Sequence, residues 1–271
     1  MTAVKHLSSP EGQEALRRLA AARTLFAFDF DGTLAPIVSR PDQARAAIGV
    51  RQRLAQLAQR VPVAVISGRS LADLRPRIPS EVRLCVGNHG SEGAIEEADA
   101  RGMRKVCRAW VAQLNEWLEE PGSDPGIVVE DKGLTLSVHF RLARDRERAA
   151  RRLAGLVPRL EPAPRVIGGK LVLNLLPPKA RTKFEALVEL AQREAVERVL
   201  FVGDDETDEL VFSQAPKHWT TVRVDLNRAS RADFFVHQQS EVAILLDQLL
   251  ALVRTPAASA QPGSGVRPGN S

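Results

Sequence analysis

The sequence predicts an α/β protein: a Rossmann-like parallel-sheet core carrying an inserted α+β cap domain. Three observations support this. Short apolar runs rich in β-formers, LFAFD (25 to 29), VAVIS (63 to 67), VRLCVG (82 to 87) and VLFVG (199 to 203), alternate with helical patterns. Runs apolar at successive positions suit strands buried on both faces, as in a parallel sheet covered by helices on both sides. The stretch from 100 to 178 breaks this rhythm, and three of the runs lead straight into a reactive polar residue, Asp29, Ser67 or Asp204. Open parallel sheets bind ligands beyond those carboxyl ends.

Taken in order, residues 1 to 22 are a helical lead-in, with EGQEALRRLAAA (11 to 22) following a proline and running into the first strand. The core occupies 23 to 99 and 179 to 254, with helices expected over AAIGVRQRLAQLAQR (46 to 60) and TKFEALVELAQREA (182 to 195). Between these parts the cap opens with an amphipathic helix, RKVCRAWVAQLNEWLEE (104 to 120), stopped by PGSDPG. A hairpin follows, GIVVEDKGLTLSVHFR with KG as its turn, then a helix (144 to 157) and a second hairpin, RVIGGKLVLNLLP, with GG as its turn. This α-β-β-α-β-β order needs no parallel crossover, so 100 to 178 reads as a separate module acting as a lid. The end, TPAASAQPGSGVRPGNS (255 to 271), has no apolar period and is expected to be disordered.

The 271 residues are 44% hydrophobic, an ordinary globular composition with room for a core. Apolar runs are too short to span a bilayer and no signal-peptide block opens the chain, so a soluble, cytoplasmic protein with no membrane partner is expected. Cys85 and Cys107 form neither a CxxC pair nor a zinc-type group and read as buried small residues. The net charge of +5 comes from scattered cations interleaved with acids, which argues against nucleic acid as a partner and suits small anionic substrates. No feature of the sequence sets an oligomeric state.

The strand-end residues suggest a chemistry. Asp29 and Asp31 are close enough to repel, and a divalent cation would remove that cost. Carboxylates with waters suit Mg²⁺, a hard ion that retains part of its hydration. Asp204 adds a third carboxylate, and Asp208, four residues on, can return to the same place. Asp205 and Asp208 also read as an acidic N-cap and first-turn charge, so which of them supports a metal stays open. In RTKFEAL, Thr182 and Glu185 form a capping-box pattern that puts Lys183 on the first helical turn, where a phosphate would find both N–H groups and a cation. The competing reading of Lys183 is a solvated surface lysine.

Together these motifs resemble the haloacid dehalogenase-like (HAD-like) phosphohydrolases: DFDGT (29 to 33), Ser67 in SGR, Lys183, and GDDETD (203 to 208) stand in that family's order. The resemblance implies Asp29 as nucleophile, forming an aspartyl-phosphate, and Asp31 as the acid and then the base that moves protons. It implies Mg²⁺ held by Asp29, the Asp31 carbonyl and Asp204, with support from Asp208. Ser67 and Lys183 would hold the phosphoryl oxygens.

A narrower resemblance is to the trehalose-6-phosphate phosphatases, carried by DFDGTLAPI, SGRS, GNHGSE (87 to 92), VVEDKG (128 to 133), GGKLVLN and GDDETDE. It implies hydrolysis of trehalose 6-phosphate in trehalose biosynthesis, with Glu130 and Lys132 reaching sugar hydroxyls from the cap. Arg69, Asn88 and His89 would line the core side. The chain departs from the family at Asn174, where a glutamate is usual, and at Phe184 after Lys183, where a glycine is usual. An amide still bonds a hydroxyl but is a weaker acceptor than a carboxylate. Alternatives are a phosphatase of another sugar phosphate, such as a sucrose phosphate or a glycosyl-glycerate phosphate, and a non-catalytic sugar-phosphate-sensing module. The last would require damage to one of the four motifs, and all four are intact. P-loop chemistry is excluded by the absence of GxxxxGK[ST].

Overall fold

The computed structural model describes residues 4–38, 40–93, 97–120, 123–169 and 171–253. The tail expected to be disordered, 255–271, lies outside the described residues. Seven parallel strands form the main sheet in the order β1-β11-β10-β9-β2-β3-β4. At its centre β2 (Thr24–Phe28) lies between β9 (Arg198–Gly203) and β3 (Val63–Ile66), with Phe26 opposite Leu200 and Val63. On the β3 side the sheet ends in β4 (Leu84–Val86). On the other side it runs through β10 (Thr220–Val224) and β11 (Phe234–Val236) to β1 (Lys5–His6), so the N-terminal lead-in contributes a strand as well as a helix.

Successive residues of a strand point to opposite faces, and β2 shows why its whole run is apolar. Phe26 and Phe28 pack with Leu16 and Leu19 of α1 (Pro10–Ala20), Leu54 and Leu57 of α2 (Ile48–Ala58), and Leu245 and Leu249 of α8 (Glu241–Leu252). Leu25 and Ala27 join the opposite layer, with Leu187 and Leu190 of α6 (Lys183–Arg193) and Val211 and Phe212 of α7 (Glu206–Gln214). A short helix, α3 (Leu71–Leu74), follows β3.

The insert carries a second sheet, four antiparallel strands in the order β5-β6-β8-β7. These are β5 (Val128–Asp131), β6 (Leu136–His139), β7 (Arg165–Gly169) and β8 (Val172–Leu176). Leu136, Val138 and Leu175 pack on Trp110 and Leu114 of α4 (Glu97–Glu119) and Leu153 of α5 (Arg146–Leu156). The residues between them face the other way, and Glu130, Ser137, Asn174 and Ile167 form one row across the strands. Helix α4 begins seven residues before the expected position 104, at Glu97.

The second hairpin does not turn at Gly168-Gly169: both pair within the ladder, opposite Leu173 and Val172, and the chain reverses between Gly169 and Val172. Gly168 lies against the start of α7, where a Cβ would meet only the end of the exposed Glu206 side chain. Cys85 and Cys107 are free and buried.

Candidate active site

Three elements meet at the carboxyl end of β2. The loop after Phe28 is closed by Gly32 N–H to Ala35 O (2.7 Å) and Ala35 N–H to Phe30 O (2.8 Å). Gly32 has φ +80°, and a Cβ on it would lie 2.0 Å from Asp204 Oδ2, so this loop and the end of β9 approach as only glycine allows. Asp29, 4% exposed, is tied to β9 by its N–H to Val202 O at 2.8 Å.

Helix α6 delivers the cation. Thr182 and Glu185 form the expected capping box, with Thr182 N–H donating to Glu185 Oε2 (2.6 Å) and Glu185 N–H to Thr182 Oγ1 (3.2 Å). On that first turn Lys183 points into the sheet edge rather than into solvent: its side chain is 3% exposed, and Nζ donates to Asp29 Oδ1 and Asp208 Oδ1, both at 2.7 Å. Asp208 uses its second oxygen to accept the N–H groups of Asp204 (2.9 Å) and Asp205 (3.1 Å) at the start of α7. Asp208 therefore closes the helix start, as its first-turn reading expected, and in addition faces the lysine.

Oxygens of Asp29, Asp204 and Asp208 lie within 4.8 Å of one another, and buried Asp204 Oδ1 has no hydrogen-bond partner among the described residues. Three carboxylates thus crowd around one ammonium, which bonds Asp29 and Asp208. Burial pushes the Asp29 pKa above the usual carboxylate range despite Lys183, and burial followed by the Asp29 and Asp208 charges does the same to Asp204. Burial alone would lower the Lys183 pKa, but Asp208 and then Asp29 outweigh it and hold the lysine protonated. An orphaned carboxylate oxygen and raised carboxylate pKa values are what a hard divalent cation would relieve.

Asp31 has its own cation. Arg69 grips it bidentately, Nε to Oδ2 and Nη2 to Oδ1, both at 2.7 Å. Ser67, buried at the end of β3, accepts Arg69 N–H at 3.2 Å. The two aspartates of DFDGT therefore face different partners, which eases their mutual repulsion.

The remaining expected residues lie where the cap meets the core. Asn88 and His89 both adopt left-handed backbone, φ 49° and 56°. Asn88 is a clasp: Nδ2 donates to the Lys132 carbonyl at 3.2 Å, and Oδ1 accepts the Thr135 hydroxyl at 2.9 Å. Lys132 reaches back to Gly68 O (3.2 Å), and Glu130 pairs with His139 at 2.8 Å on the cap surface. Asn174 accepts the Ser137 hydroxyl at 2.7 Å and is buried. His89 is buried beside Gly68 with the Asn174 side chain close to its ring, and neither ring nitrogen makes a well-formed hydrogen bond among the described residues. Burial first, then Lys132 and Lys183, push its pKa well below 6.5, so the ring is neutral.

The sequence reading missed Thr135 and Ser137 of the first cap hairpin, and Asp73 and Arg77, which pair behind Arg69. Asp73 was findable: Ser70-x-x-Asp73 is a capping pattern, and it stands four residues after Arg69.

A parallel sheet that gathers DFDGT, Lys183 and GDDETD at one edge, under an antiparallel cap, is a haloacid dehalogenase-like fold. The trehalose-phosphatase family model matches residues 27–240, and the chain belongs to that family. Among relatives, trehalose-phosphate phosphatase of Mycobacterium tuberculosis (strain H37Rv) is 35% identical over 254 residues, covering 87% of this chain and 63% of that protein. The Mycobacterium marinum protein of the same name is 34% identical over 278 residues, 93% and 68% of the two chains. The chain thus spans about two thirds of the length of these relatives. Among solved structures, the C. albicans trehalose-6-phosphate phosphatase C-terminal domain aligns with TM-score 0.71 at 23% identity, covering 93% of this chain and all of that one. At that identity the likeness speaks for the fold alone. None of the described helices is long and apolar enough to cross a membrane.

Proposed function

We propose that this chain is a phosphatase that hydrolyses trehalose 6-phosphate to trehalose and phosphate. Residues 23–99 and 179–254 serve as catalytic core and 100–178 as the cap that selects the sugar. The observation that carries the reading is the buried Lys183 bridging Asp29 and Asp208 beside the unpartnered oxygen of Asp204. A group of that cost is retained where chemistry uses it.

In this reading an Asp29 oxygen attacks phosphorus, the bond from phosphorus to the sugar oxygen breaks, and an aspartyl-phosphate forms. Asp31 gives its proton to the departing sugar oxygen, then takes one from the water that attacks phosphorus and frees the phosphate. Lys183 and the Ser67 hydroxyl hold the phosphoryl oxygens. Asp29, the Asp31 carbonyl and Asp204 would hold Mg²⁺, with Asp208 supporting them, and the residues present fit that ion in type and charge. When bound, it supplies positive charge to the phosphoryl oxygens. The cap row of Glu130, Ser137 and Asn174, with Lys132, Arg69, Asn88 and His89 around it, offers hydroxyl-binding groups for the sugar.

One observation favours a second reading, a phosphatase of a different sugar phosphate: the row carries the neutral Asn174, already bonded to Ser137, where the family usually has a carboxylate. The nucleophile is tested by Asp29→Asn. The variant should release no phosphate while its circular dichroism spectrum and Tm match or exceed wild type, since a buried carboxylate has been neutralised. Activity near wild type would overturn the assignment.

A further inference from the structure

The carboxylate that moves protons is held from behind by a chain of ion pairs. Arg69 offers Nε and Nη2 to Asp31 and uses Nη1 for Asp73 Oδ2, at 2.5 Å. Asp73 Oδ1 accepts Arg77 Nε at 3.1 Å and pairs with Arg77 Nη2 as well. Arg77 is anchored on the backbone: Nη1 donates to Asp42 O (3.1 Å) and Ala44 O (2.9 Å), in the segment that follows the DFDGTLAPI loop, and Nε donates to Asp73 O at 2.9 Å. Both guanidiniums are nearly buried, with 10% and 8% of their side chains exposed. The Asp73 carboxylate is not needed to cap α3. Ser70 does that, accepting Asp73 N–H at 3.3 Å.

We propose that Asp73, fixed by Arg77, is a positioning residue for the reaction: it locks the Arg69 fork so that Asp31 meets the departing sugar oxygen. This rests on the proton-transfer role given to Asp31 above. Arg69 has a long flexible stem, and a guanidinium fixed on both sides presents one geometry to its carboxylate. Proton transfer demands that geometry, since a misplacement of about 1 Å costs on the order of 100-fold in rate.

The test compares two substrates in wild type, Asp31→Asn, Asp73→Asn, Arg69→Gln and the Asp73→Asn/Arg69→Gln double variant. Trehalose 6-phosphate needs a proton on its leaving oxygen, whereas p-nitrophenyl phosphate does not, and kcat/KM reports each reaction up to the phosphoenzyme. Asp73→Asn should lower kcat/KM for trehalose 6-phosphate by roughly 10- to 100-fold, leave that for p-nitrophenyl phosphate within about threefold, and add nothing in the Arg69→Gln background. Where Asp73→Asn lowers Tm, Arg77→Lys, which keeps the Asp73 charge, should show the same selectivity. Equal losses on both substrates, additive losses in the double variant, or wild-type rates for Asp73→Asn beside an inactive Asp31→Asn would overturn the proposal alone. Full turnover of trehalose 6-phosphate by Asp31→Asn would overturn the proton-transfer reading, and this proposal with it.

Discussion

His89 shows most plainly what a single residue costs here. Its ring is buried with no well-formed hydrogen bond to either nitrogen among the described residues, on a backbone with φ 56°. Because its folded pKa is depressed, the unfolded chain binds a proton that the folded chain refuses, so stability falls as pH drops through the unfolded value near 6.5. Asn tolerates left-handed backbone, so His89→Asn keeps the turn and removes the titration. Denaturant melts between about pH 8 and pH 5 should show the variant gaining on wild type as pH falls, with a slope of at most about 1.4 kcal/mol per unit. A stability difference that does not change with pH would contradict this account of His89. At this scale the identities of Asp29, Asp31, Lys183 and Asp204 were legible, because spacing and strand ends announce them. Their partners were not, since Arg69 lies 38 residues from Asp31 and Lys183 lies 154 from Asp29.

Among the elements, the start of α6 was the most readable, and it does the most. Thr182-x-x-Glu185 is local chemistry, so the sequence alone placed Lys183 on the first turn; its inward direction comes from α6 packing on β2 and β9 through Leu187 and Leu190. Thr182→Ala should cost about 1 kcal/mol of unfolding free energy. It should also lower phosphate release measured well below the melting temperature, because the ammonium loses its fixed approach to Asp29. Unchanged activity at the reduced stability would mean the cap only stabilises the helix. The misplaced GG turn shows the opposite case. Local rules assign glycine pairs to turns, whereas Gly168 and Gly169 stay in the ladder opposite Leu173 and Val172, a pairing that no local rule contains.

For the whole molecule, the parallel sheet and the insertion were legible because parallel strands buried on both faces read differently from alternating antiparallel ones, while the sheet order and the strands β1, β10 and β11 were not read. How the cap meets the core was not, since Asn88 to Lys132 and Lys132 to Gly68 are contacts 44 and 64 residues apart. Those contacts bring the cap row to the sheet edge that holds Lys183, and the proposed selection of the sugar depends on that meeting. Phosphate release from a panel of sugar phosphates, with magnesium and with a chelator, tests this most directly. The account predicts that trehalose 6-phosphate is preferred over glucose 6-phosphate and sucrose phosphate, and that chelation abolishes release. A preference for either of the others, or release indifferent to the chelator, would contradict it.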